Sequence, residues 1–138
     1  MFDFSIHVWP FLIGGIIPTI IGMFWYSPVL FGNQWMNAIG INSNDIKESG
    51  ADATGGYVTS LIMSFVLSYG MGVLVHSLNI TTVGAAILFG AATWFIFNFY
   101  TFAKLIFFED RPMALIWIGG GYDILCFSLI ALTYSFWS

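Results

Sequence analysis

The chain has 138 residues, 59% hydrophobic and 20% aromatic, with only 3 basic and 7 acidic side chains and a formal net charge of −4. So few charges cannot clothe a water-facing surface, for which about a quarter of the residues of a soluble domain are charged. No basic run or patch offers the phosphate contacts that nucleic acid requires, and the single Cys126 allows neither an internal disulfide nor a thiolate metal cluster within one chain.

The expected fold is all-α. It is a single integral membrane domain over 1–138, built as a four-helix bundle with a short amphipathic interfacial helix after the first span. Crossing about 30 Å of hydrocarbon takes about 20 apolar residues, and four stretches reach that length, at about 4–26, 57–78, 83–108 and 113–137. Tryptophan and tyrosine gather near the ends of these runs, at headgroup level. The first run begins almost at Met1, without a basic leader or a small-residue cleavage pattern, and reads as a span rather than a signal peptide. Pro18 in its middle, with Gly14, Gly15 and Gly22 around it, predicts a kink, and Ser27-Pro28 ends it. Over 29–40, Phe31, Trp35 and Ile39 recur every four residues among Asn33, Gln34 and Asn37, which predicts a helix lying in the interface. A polar loop from Asn42 to Gly55 follows.

The second span places Ser60, Ser64, Ser68, Gly72 and His76 at four-residue intervals, so they share one stripe of the helix. Small residues at this spacing let another helix approach closely; alternatively, the hydroxyls line a narrow polar path ending at His76. Asn79 to Thr82 form a tight polar turn, which should make the second and third spans antiparallel packing neighbours. The third span carries Asn98, and Pro112 stands at the favoured first position of the fourth. Lys47, Lys104 and Arg111 all fall in connections on one side, so the positive-inside rule makes that side cytoplasmic in a cell membrane and turns both termini outward.

Asp123 follows Gly119-Gly120-Gly121 and lies near mid-membrane, where an ionised carboxylate is costly and must face the interior or find a donor. Asn98, Ser64 and Ser68 reach similar depths and are expected to meet it. The cluster reads either as a proton or cation site or as an interhelical clamp. The glycines beside it, Gly120 among them, loosen the fourth helix or admit a neighbour, as Ser60 and Gly72 do on the second. His7 and His76 fall near the outward face with Asp3 close by, a weak candidate pair for a metal or proton, lacking HxxxH or HExxH spacing. Glu109, Asp110 and Arg111 read as a solvated helix start. No nucleophile–base set, phosphate loop or haem motif is present, so neither a cofactor nor catalysis is indicated.

The block Trp25-Tyr26-Ser27-Pro28-Val29-Leu30-Phe31-Gly32, followed by Trp35-Met36, resembles the signature of the DUF1761 family of small bacterial and archaeal membrane proteins. Asn98 in the third span, Arg111-Pro112 before the fourth and Gly121-Tyr122-Asp123 within it are compatible with that resemblance. It implies a four-helix membrane domain and carries no activity with it. Two roles fit these features: a small homo-oligomeric transporter or channel using Asp123, or an accessory subunit of a larger membrane complex. A lipid-acting enzyme ranks behind both; it requires Tyr26, Ser27, Lys104, Glu109 and Arg111 to converge. The expected partners are the lipid bilayer and either further copies of this chain or other membrane subunits.

Overall fold

A computed structural model describes residues 1–40 and 54–137. Among these residues there are six α-helices, one π-helical turn and no strand. In chain order they are α1 (Val8–Trp25), α2 (Gly32–Ile39), α3 (Thr54–Ser77), α4 (Val83–Phe97), α5 (Phe99–Phe107), the π turn (Ile116–Gly120) and α6 (Gly121–Ser135). Three helical segments are long and apolar enough to cross a membrane, Val8–Trp25, Thr54–Ser77 and Ile116–Ser135; there are four if α4 and α5, bent by 40° at their junction, count as one. Lys47 and most of the expected polar loop lie outside the described residues.

The helix boundaries show which local forces act. Residues 1–7 stay extended rather than opening α1, because their backbone groups find other partners along α3. The Asp3 N–H donates to Ser77 Oγ (2.8 Å), and the Tyr69 hydroxyl donates to the Phe4 carbonyl (3.0 Å). Pro10 then falls in the first helical turn, where no amide hydrogen is needed. The helix runs as a single element through Pro18. α3 starts at Thr54, earlier than the apolar run alone indicates. α2 ends at Gly40, whose φ of 80° suits a residue without Cβ. The fourth span begins at Ile116, past Pro112, because Pro112 and Met113 accept short-range bonds from Leu115 and Ile116 that close a turn first.

The third span is broken at Asn98, which the hydropathy pattern does not reveal. Its amide still bonds to Trp94 O (2.7 Å) and its carbonyl accepts from Phe102 (3.1 Å), but the two halves bury different partners. α4 packs on α6, whereas α5 packs mainly on α4 and the π turn and has no buried residue.

Correcting the expectation from the tight turn, α3 and α4 are not packing neighbours: α6 lies between them and contacts α1, α3 and α4. The reason is steric. Gly90 brings the backbone of α4 against that of α6 at Ser128, so close that a Cβ on Gly90 would collide with Ser128 Cα. Gly72 of α3 lies against the ring of Tyr134. Met71, Val75, Ala86, Ile130, Ala131 and Tyr134 close the core around this central helix.

The buried face of α1 consists of Pro10, Gly14, Gly15 and Pro18, while Ile13, Ile16, Ile20, Met23 and Phe24 point outward. Small residues inside and large apolar residues outside invert the pattern of a water-soluble bundle and are compatible with insertion in a membrane.

Candidate functional site

The turn after α1 and the π turn before α6 lock together at one end of the molecule. Ser27 closes the turn: its hydroxyl donates to Phe24 O (2.7 Å), and its carbonyl accepts from Leu30 (3.1 Å) and Gly32 (2.9 Å). Gly32 has no room for a Cβ against the carbonyls of Tyr26 and Ser27, so this close return of the chain requires glycine. The returning segment sets Phe31 at a tilt against Trp25 (ring centroids 4.7 Å) and Trp35 edge-on to Tyr26 (5.5 Å). The Trp25 indole N–H donates to Ile118 O in the π turn (2.8 Å).

Gly119, Gly120 and Gly121 each admit an aromatic ring from a different helix: Phe102 of α5, Trp94 of α4 and Trp25 of α1 respectively. The triple glycine is thus a seat for three rings, and the π turn is the backbone register in which that seat forms. π turns inside helices are frequent at functional sites.

One turn further on stands Asp123, half-buried in the first turn of α6. It lies seven residues beyond Ile116, about 10 Å along the axis at 1.5 Å per residue, and so closer to the middle of the Ile116–Ser135 segment than to its end. Its carboxylate faces the buried Trp94 indole N–H, which closes no hydrogen bond of good geometry, and it acts electrostatically on Tyr26, Tyr122 and Cys126.

No hydrogen bond joins Asp123 to Asn98, Ser64 or Ser68, so the cluster expected from depth alone does not assemble. The partner from the third span is Trp94, one helical turn before Asn98. Ser64 donates to Ser60 O on its own helix (2.8 Å). Ser68 is fully buried, donates to Phe11 O of α1 (2.9 Å) and lies 3.3 Å from the Tyr134 hydroxyl. With its single proton spent on Phe11, Ser68 accepts from Tyr134 and ties α1, α3 and α6 together.

The serine stripe therefore divides. Ser68 and Gly72 pack inside, whereas Ser60 and Ser64 line a groove of about 970 Å³ between α1 and α3. Tyr26, Trp35, Tyr57 and Tyr122 form its aromatic walls, and Thr19 contributes a hydroxyl. Tyr122 donates to Pro18 O (2.6 Å), which holds its ring at 5.4 Å from that of Tyr26. Asp123 stands behind these two tyrosines. Trp94, Trp35, Tyr57 and Thr19 are missed by reading the sequence alone; the signal for Tyr122 was its position next to Asp123.

At the opposite end His7 and His76 do meet, with ring centroids 5.5 Å apart, His76 Nε2 buried without a partner, and His76 near enough to Asp3 to act on its carboxylate. Among the described residues no three histidine, cysteine, aspartate or glutamate side chains converge on a common point.

The family model described as a protein of unknown function, DUF1761, matches residues 9–135. No curated protein and no solved structure matches the chain.

Proposed function

The chain belongs to the DUF1761 family, and from that premise we propose that it is a multi-pass membrane transport protein whose solute enters the α1/α3 groove and whose ionisable group is Asp123. The observation that carries this reading is the placement of a half-buried acid behind Tyr26 and Tyr122, two of the residues that line a groove large enough for a small organic molecule. An acid inside an apolar helix is costly to retain, and its presence beside a cavity favours a role in moving charge over a purely structural one. The end that carries Lys104 and Arg111 faces the cytoplasm, and both termini face outward across the cell membrane.

The test is dissipation of an imposed pH gradient in proteoliposomes, read with an internal pH dye. Wild type should collapse the gradient faster than empty vesicles do, and Asp123→Asn should return the rate to that of empty vesicles. Thr133→Ala, which removes only a bond within α6, should leave the rate unchanged. A wild-type rate equal to that of empty vesicles, with and without added organic cations, ends the transport reading.

A second reading, a subunit of a larger assembly, is favoured by α5: Tyr100 and Phe107 are more than 70% exposed, and no residue of this helix is buried. Native mass spectrometry of gently extracted protein separates the two. Foreign subunits retained at fixed stoichiometry support the accessory role, and a single homo-oligomeric mass supports self-association.

A further inference from the structure

The chemistry of the groove wall narrows what it can hold. No lysine, arginine or histidine lines it among the described residues, and the hydroxyl protons of Tyr122 and Ser64 are already committed to Pro18 O and Ser60 O. An anion would find no cation there, and a buried unpaired charge is expensive. A bare metal ion would need several strong ligands, and among the described residues no three histidine, cysteine, aspartate or glutamate side chains converge.

What remains on the wall are aromatic rings and hydroxyl oxygens, with the carboxylate of Asp123 behind Tyr26 and Tyr122. The rings of Trp35 and Tyr122 stand at 70° and 64° to that of Tyr26, so the three make a corner rather than a stack, and Tyr57 on α3 contributes a further ring. Tryptophan and tyrosine faces around a site of this kind attract cations that carry no hydrogen-bond donors, which is how aromatic cages take quaternary ammonium groups. At about 970 Å³ the groove lies at the upper end of the range for small-molecule sites, too large for an inorganic ion alone.

We propose that the α1/α3 groove binds an organic cation of the quaternary ammonium or phosphonium class against Tyr26, Trp35, Tyr57 and Tyr122, with Asp123 as the counter-charge. The cation comes either from solution or from the choline headgroup of a lipid entering sideways. The assignment rests on the transport reading only for the use made of the site; occupancy is measured separately.

The experiment is equilibrium binding of radiolabelled tetraphenylphosphonium to the full chain in nanodiscs, one set made of phosphatidylglycerol and one of phosphatidylcholine. Saturable binding is expected in phosphatidylglycerol, with neutral triphenylphosphine oxide a poor competitor. Trp35→Leu should weaken binding by roughly 2- to 30-fold while Trp35→Phe largely restores it. Asp123→Asn should weaken it by about tenfold. Equal affinity in the two lipids identifies a free cation as the ligand, and loss of affinity in phosphatidylcholine identifies the lipid headgroup. The assignment is overturned by absence of saturable binding in phosphatidylglycerol, by equal competition from the neutral compound, or by Trp35→Leu binding as wild type does. Binding without flux removes the transport reading alone, whereas flux without binding removes this assignment alone.

Discussion

Ser68 has one proton and two polar neighbours, and the direction of each bond sets the cost of losing it. Ser68→Ala leaves the fully buried Tyr134 hydroxyl without its acceptor and takes from Phe11 O its side-chain bond, a loss of about 1–3 kcal/mol, whereas Tyr134→Phe leaves the Ser68 to Phe11 bond intact and should cost less. Thermal unfolding in detergent should rank the two variants in that order; a Tyr134→Phe protein melting lower than Ser68→Ala would mean that the tie runs through the tyrosine instead. At the N-terminal strap, the hydroxyl and amide of Ser5 both donate to the Asp3 carboxylate and hold its pKa below the ordinary 3.8. A depressed folded value means that this local tie is present above the usual carboxylate range and is lost as pH falls through the lowered pKa. Carboxyl-carbon NMR should show the Asp3 inflection below 3.8 in wild type and nearer to it in Ser5→Ala.

Among the elements, contact between α4 and α6 depends on one position. Gly90→Ala places a methyl group where the α6 backbone runs at Ser128, so the helices must part, and overpacking of this kind costs about 1–3 kcal/mol. Gly84→Ala on the same helix meets open space and serves as the control; equal melting temperatures for the two variants would show that α4 can shift without loss. The turn after α1 makes a parallel demand, since Gly32→Ala collides with the Tyr26 and Ser27 carbonyls. That substitution should release α2 and with it Trp35, so hydrogen exchange at 32–39 should rise while α6 stays protected. Much at this scale was legible: the existence of the long apolar helices, the short helix over Gly32–Ile39 and the triple glycine all follow from local composition. The break at Asn98 was not, because no proline or glycine marks it and its cause is that α4 and α5 pack against different partners.

Across the whole molecule, large apolar side chains face outward along every long helix, so the chain needs an apolar surrounding to keep its surface out of water. Alkaline carbonate extraction should leave it entirely in the membrane fraction; release into the supernatant would contradict insertion. The candidate site also belongs to this scale, since α1 supplies Thr19, the residue that ends it Tyr26, α2 Trp35, α3 Tyr57 and α6 Tyr122, with Asp123 behind the two tyrosines. Matching depths pointed to Asn98, Ser64 and Ser68 as partners of Asp123, yet depth leaves rotation about each helix axis open. With α6 lodged between α3 and α4, Ser68 turns toward α1 and Tyr134, and Trp94 rather than Asn98 reaches the acid.

The sequence by itself determined that the described residues fold as helices, where the apolar runs begin and end to within a few residues, and that one acid lies inside the last of them. Each of these depends on local quantities: the length of an apolar run, the φ that a glycine or proline permits, and the capacity of neighbouring side chains to satisfy the backbone. Only the tertiary structure decided which helix is central, which rings sit on the three glycines and which groups line the groove. Those outcomes follow from close approach at Gly90, Gly72 and Gly120, where the room left by an absent side chain is filled by a residue far away in the chain.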